Sequence, residues 1–336
     1  MIRPRWSVLA PALALSLVLS PGPPARAADP VLEVTGPAGT RSFTLAELGK
    51  LPRTAGLAGT LNSAGKVVRP VRYRGVALAD LVAAVGGLDA AHDLVVTARD
   101  GYRMTYTHAQ VTAGDFTAFH PGTGDTLAVH EPLTAVLAWE REGRPLGGPG
   151  DGPLRVVVVS RQGGALADAH LSVKDVTKVA VQGASRPWSL ALEGARSEAM
   201  DQSTFESGAA PTCHGVTWRD PQGRSWSGIP LWLLVGWVDD ARKHGTGAFA
   251  DDLAAGYDVD VITAAGARVS LASERLARNE GILVVHRLDG APLPAAAFPL
   301  QLAGPGLEEG EDLGGIVKLV LRARGPEPPG AGGPAK

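Results

Sequence analysis

A short series of landmarks occurs twice along this chain in the same order, and that order constrains the fold more than any other feature. Tyr73-Arg-Gly-Val-Ala-Leu is answered by Trp226-Ser-Gly-Ile-Pro-Leu, and Asp100-Gly-Tyr-Arg by Ala265-Gly-Ala-Arg. Gly143-Arg-Pro-Leu is answered by Gly290-Ala-Pro-Leu, Pro153-Leu by Pro299-Leu, and Lys178 by Lys318. The spacing between partners drifts, as loop insertions would make it drift, so the pattern predicts a tandem duplication of one unit. A length of 336 residues suits two domains of about 150 each.

Local signals fill in the unit. Thr44 with Glu47 three residues on has the spacing of a helix capping box. Leu78, Leu81, Val82 and Val85 fall on one helical face, and Gly86-Gly87 ends that helix. Leu94 to Thr97, a turn at Asp100-Gly101 and the alternating Tyr102 to Tyr106 read as strand, turn and strand. Leu133 to Trp139 reads as a further strand, Pro153 to Val159 as one buried on both faces, and Ser172 to Val181 alternates in part. With 43 Gly and 26 Pro, the chain calls for short elements and tight turns, which excludes a helical bundle. The expected fold class is α+β: two tandem repeats of a mixed sheet with short helices.

Residues 1–27 read as an export signal, because Arg3 and Arg5 precede the apolar run Val8 to Leu19 and Ala25-Arg-Ala supplies small residues for cleavage. The expected product is exported, periplasmic or extracellular, with no membrane span. The repeats are expected over 28–183 and 184–324, the boundary falling near Gly183 to Pro187, with a Pro/Gly-rich disordered tail over 325–336. Loss of Arg3, Arg5 and Arg26 takes the formal net charge from −2 to −5, which offers no basic face to nucleic acid.

Cys213 is the single cysteine, so no internal disulfide is available and a free thiol would enter an oxidising compartment. Trp226-Ser-Gly-Ile-Pro-Leu follows it, with Pro230 placed where a first helical turn tolerates a missing N–H. Other chemistry is poorly supplied. The eight His are dispersed with no His-x-x-x-His pair, no Gly-x-Ser-x-Gly elbow exists, and Gly59 to Lys66 lacks a phosphate-loop pattern. His120 and His130, the pairs Asp239-Asp240 and Asp251-Asp252, and the run Glu308, Glu309, Glu311 and Asp312 read most simply as solvated loop residues.

The order of landmarks resembles the oxidoreductase molybdopterin-binding domain of the sulfite-oxidase type, in two divergent copies. In that family a molybdenum-ligating cysteine lies about one turn-containing loop before an aromatic-x-Gly-hydrophobic-Pro-Leu helix start, and an Asp-Gly-Tyr hairpin follows. Cys213 matches the first feature in the second repeat and Asp100-Gly101-Tyr102 the second in the first repeat, while neither repeat has both. The resemblance implies a molybdopterin cofactor with Cys213 as metal ligand and His214 beside it, acting on a small-molecule substrate or redox partner of unknown identity. A phosphate-bearing pterin calls for cations, and Arg268, Arg275, Arg278 with Asn279, and Lys318 are the candidates. The position answering Cys213 in the first repeat offers only Asn62-Ser63, so one repeat at most could hold the metal. The resemblance also implies export of the loaded, folded protein by the twin-arginine route, whereas Pro4 separates Arg3 from Arg5 here. Two readings follow: a molybdopterin-dependent oxidoreductase, or a cofactor-free binding module that kept the fold and lost the chemistry.

Overall fold

In the computed structural model, residues 29–62, 65–148, 150–184, 186–239 and 256–324 are described; the expected signal segment, the expected tail, Asp240 and Asp251-Asp252 lie outside them. The chain begins with the hairpin β1 (Leu32–Gly36) and β2 (Gly39–Phe43), followed by α1 (Leu45–Leu48). Thr44 caps α1 and Glu47 reaches back to the Thr44 N–H at 2.8 Å, the capping box its spacing predicts. Next come β3 (Thr54–Leu61), β4 (Val67–Ala77), α2 (Leu78–Ala83), β5 (His92–Ala98), β6 (Arg103–Tyr106) and α3 (His108–Ala113). The first half closes with β7 (Thr134–Arg141), β8 (Arg144–Pro145), β9 (Arg155–Val159), β10 (Ala167–Asp168), a short 3-10 turn at Ala169–Leu171 and β11 (Val176–Gly183).

The second half runs β12 (Ser189–Glu193), β13 (Ser197–Asp201), α4 (Gln202–Gly208), β14 (Val216–Arg219), β15 (Ser225–Pro230) and α5 (Leu231–Val235). It continues through β16 (Tyr257–Thr263), β17 (Arg268–Ala272), α6 (Ser273–Leu276), β18 (Leu283–Leu288), β19 (Ala291–Pro292), β20 (Gln301–Ala303) and β21 (Ile316–Ala323). No helix among the described residues is longer than the seven residues of α4, so the architecture is α+β with strands dominating. Among the described residues no helix is long and apolar enough to cross a membrane.

Among the described residues the strands form four sheets. One has the order β2-β1-β11-β5-β6, and a second centres on β3-β4-β7 with β10, β8 and β9 at its margins. The third has the order β13-β12-β21-β16-β17, and the fourth centres on β14-β15-β18 with β19 and β20 beside β18. In the first sheet β1 and β11 run parallel, and in the third β12 and β21 do, while the other pairs in both are antiparallel. Each half has its own apolar core. Leu78, Leu81, Val82 and Val85 are at most 3% exposed in the first, packed with residues such as Val34, Leu94 and Leu137. The second gathers Leu231, Leu234, Val259, Val284 and Leu319.

A bulge recurs at matching glycines. Between β4 and β7 the register skips at Arg74/Gly75, leaving Trp139 as the extra residue, and between β15 and β18 it skips at Ser227/Gly228, leaving His286. A Cβ on Gly75 would lie 2.0 Å from the Leu137 carbonyl oxygen, and one on Gly228 2.0 Å from that of Val284. Glycine at these two landmark positions is thus required by close backbone approach.

Candidate functional site

Cys213 sits in the loop that carries the chain from α4 to β14. Asp201 caps α4 by accepting the Thr204 N–H at 2.7 Å, and Phe205 anchors the helix in the core. After Gly208 the backbone folds tightly on itself: Cys213 N–H donates to Ala210 O at 2.9 Å, His214 N–H to Gly208 O at 2.9 Å and Gly215 N–H to Ala210 O at 3.0 Å. Cys213 is exposed, yet the surrounding chain crowds its sulfur enough that burial pushes the thiol pKa up, a hydrogen bond from His214 opposing in part. The thiolate is therefore the scarce form at neutral pH. Strand β14 and the turn from Asp220 to Arg224 both intervene before Trp226, so the residues one turn ahead of the Trp226-Ser-Gly-Ile-Pro-Leu run are those of that turn. Cys213 lies at the foot of β14, a strand further back. By the same register Thr54 of β3 opposes Gly75 as Val216 of β14 opposes Gly228, so Asn62 follows its strand where Cys213 precedes its own.

The candidate cations are held within the second half. Arg268 on β17 reaches Asp260 at 3.3 Å, a carboxylate shared with Arg322 at 2.6 Å. Arg275 on α6 forks onto Glu311, with both nitrogen–oxygen distances 2.6 Å, and donates to Gly306 O at 2.7 Å; the Glu311 hydrogen bond is the main reason its pKa is raised. The acidic loop is consequently built around Arg275, rather than merely solvated. Asn279 donates to Arg275 O at 3.0 Å and accepts from Gly281 N–H at 2.8 Å, which shapes the turn where Arg278 has a left-handed φ of 54°. Lys318 pairs with Glu193 at 2.8 Å, as Lys178 pairs with Glu33 at 2.8 Å in the first half. Arg268 and Lys318 both lie opposite Ile262, one on each side of β16. Among the described residues no group of three or more His, Cys, Asp or Glu is arranged to hold a metal ion.

Residues remote in sequence meet where α4 packs on β6. Tyr102 donates its hydroxyl proton to His170 O at 2.7 Å, and Ser207 Oγ lies 2.9 Å from the same hydroxyl; burial pushes the phenol up to about 12. Glu206, 7% exposed at its side chain, accepts from Arg287 at 3.3 Å, Gln202 at 3.1 Å and Thr105 at 2.9 Å. Burial, then the charge of Arg287, holds the neighbouring His286 down to about 3. Asp168 Oδ1, His170 Nδ1 and Nε2, and Ser203 Oγ form a chain of 2.6 and 3.0 Å with the spacing of a nucleophile, base and orienting acid. Ser203 Oγ also donates to Asp201 Oδ1 at 2.9 Å. This set joins the halves through His170 and Ser203.

One open cleft of about 340 Å³ lies on the second half, lined by Trp218, Asp220, Gln222, Arg224, Trp226 and Gln301 among others. Trp218 and Trp226 are direct cross-strand partners on β14 and β15. Asp220 organises the turn between them, accepting from Trp226 Nε1 at 2.9 Å and from Arg224 Nε at 2.6 Å. Burial alone would raise its carboxyl, but the bonds from Trp226 and Arg224 outweigh that and hold it at about 2. Sequence reasoning did not single out Trp218, and the alternation of Trp218 with Trp226 across a short polar turn is the signal that could have done so.

No family model matches the chain, and no curated protein matches it. Among solved structures it is similar to the sulfane dehydrogenase SoxCD from Paracoccus pantotrophus, at 14% identity and a TM-score of 0.36, over 76% of this chain. The match spans 61% of that chain, less than two thirds of its length. A likeness this loose assigns neither activity nor site.

Proposed function

We propose that this chain is an exported binding module made of two tandem sulfite-oxidase-type repeats, 28–183 and 184–324, which kept the fold without the molybdenum chemistry. The duplication is supported by the matching strand orders and by Gly75 and Gly228, which meet the same backbone obstacle at the same bulge. The observation that carries the cofactor-free reading is the state of the cations: Arg268, Arg275 and Lys318 each face a carboxylate at 3.3 Å or less. A pterin phosphate would have to displace those partners.

The thiol points the same way. Cys213 lies a strand further back than the place one turn ahead of the Trp226-Ser-Gly-Ile-Pro-Leu run, with β14 and the turn from Asp220 to Arg224 intervening. The residues present therefore do not fit the cofactor. Alkylation tests this reading: protein purified from its native compartment is treated with iodoacetamide without denaturant and weighed intact. Full single alkylation at Cys213 is expected of an exposed free thiol. Protection that disappears on denaturation would instead support the redox reading, with Cys213 as molybdenum ligand.

A further inference from the structure

The two halves treat one position differently. In the second half Trp218 stands opposite Trp226, and in the first half Gly56 stands opposite Tyr73 at the same place relative to the bulged glycine. Gly56 is sealed: a Cβ there would lie 2.7 Å from Val159 Cβ, and Leu57 and Ser160 exchange backbone hydrogen bonds at 2.9 Å across the spot. At the matching place in the second half lies the cleft, with half-buried Trp218 on one wall and Gln301 to Gly304 on the other. Where one half closes its hairpin, the other exposes an aromatic face beside planar polar groups.

The charges select the class of occupant. Asp220 and Arg224 neutralise each other at 2.6 Å, and Arg224 lies 5.2 Å from the Trp226 ring centroid. A cationic ligand would meet Arg224 already at that ring, and an anionic one would meet Asp220 and Asp312. What remains is an uncharged ligand with an apolar face to lie on Trp218 and hydroxyl or amide edges for Gln222, Gln301 and the outer nitrogens of Arg224. The volume is at the lower end of small-ligand sites, roughly 300–1,000 Å³.

We infer that the Trp218 cleft binds an uncharged carbohydrate, the pyranose face stacked on the Trp218 indole and its hydroxyls bonded to Gln222 and Gln301. This deepens the binding-module reading and rests on it. The test uses the full chain with maltotriose, cellotriose and chitotriose in calorimetric titrations, and with insoluble starch, cellulose and chitin in pull-downs, which separate free sugars from polymers as the source. Saturable binding of at least one of these neutral glycans is expected, weakened roughly tenfold or more in Trp218→Ala by loss of the stacked face. Gln222→Ala, a change at an exposed side chain, serves as a second variant and is expected to weaken binding with an unchanged melting temperature. No binding to any of the six probes, or binding that both variants leave intact, overturns the inference. If no glycan binds while Cys213 alkylates freely, the carbohydrate assignment alone fails; protection of Cys213 in the native protein marks failure of the module reading instead.

Discussion

Replacing Glu206 by Ala would remove the one carboxylate that the buried polar cluster between α4 and β6 is built on. Arg287, 13% exposed at its side chain, would keep its bonds to His286 Nε2 at 3.2 Å and Gly290 O at 3.2 Å but lose its counter-charge. Arg103 already has its Nε buried without a hydrogen-bond partner, and its pKa is lowered by burial and then by the charge of Arg287. Two guanidinium groups would then face each other with no anion between them. Breaking a buried pair from one side costs about 3–5 kcal/mol. At roughly 2–4 °C per kcal/mol for a chain of this size, the melting temperature should fall by about 10 °C. Urea unfolding followed by tryptophan fluorescence measures the change. The double variant Glu206→Leu with Arg287→Met should recover most of the loss, because replacing both partners by apolar groups leaves no orphaned charge. A loss below about 1 kcal/mol in Glu206→Ala would refute the view that Glu206, bonded to Arg287 in its own half and to Thr105 in the other, anchors the polar seam between the halves.

Further outcomes follow from the same geometry. Gly75→Ala and Gly228→Ala should each destabilise by more than about 3 kcal/mol, since the added methyl meets a backbone carbonyl that cannot swing aside; equal and mild losses in denaturant titrations would contradict the shared bulge. His286 is held neutral in the fold to about pH 3, so stability should decline as pH falls from the unfolded value near 6.5 toward 3, and His286→Gln should flatten that limb in pH-dependent melts. Asp220 acts in the same direction at lower pH: its contribution is present above its unfolded pKa near 3.8 and is lost as pH falls through about 2, so Trp226 fluorescence should stay native-like at pH 3 in the wild type and not in Asp220→Ala. Cys213→Ser should alter the melting temperature by less than about 0.5 kcal/mol equivalent, as expected for an exposed side chain.

Much of the fold was legible because it rests on short-range rules. Thr44 and Glu47 announce the start of α1 by spacing, and Leu78, Leu81 and Val82 announce the buried face of α2, with Val85 buried just past its end. Gly75 and Gly228 were legible as matching landmarks because each stands at a bulge where only glycine fits. The polar seam was not legible, since Tyr102, His170, Ser207 and Glu206 come together only through packing of α4 on β6. Nor was the pairing of the arginines: Arg275 and Glu311 are far apart in sequence, and the acidic run gave no sign of whether it faced water or a cation. The cleft escaped for a third reason, that Trp218 matters only relative to Gly56, a comparison that needs strand register.

Molybdenum content of the full chain, purified from its native compartment and analysed by elemental mass spectrometry beside a pterin fluorescence assay, tests the central claim most directly. Carboxylate-paired cations and the placement of Cys213 a strand behind the Trp226 turn predict molybdenum and pterin at background in the wild type and in Cys213→Ser alike. Stoichiometric molybdenum in the wild type, lost in Cys213→Ser with the fold retained, would contradict the account and make the chain a molybdopterin-dependent oxidoreductase.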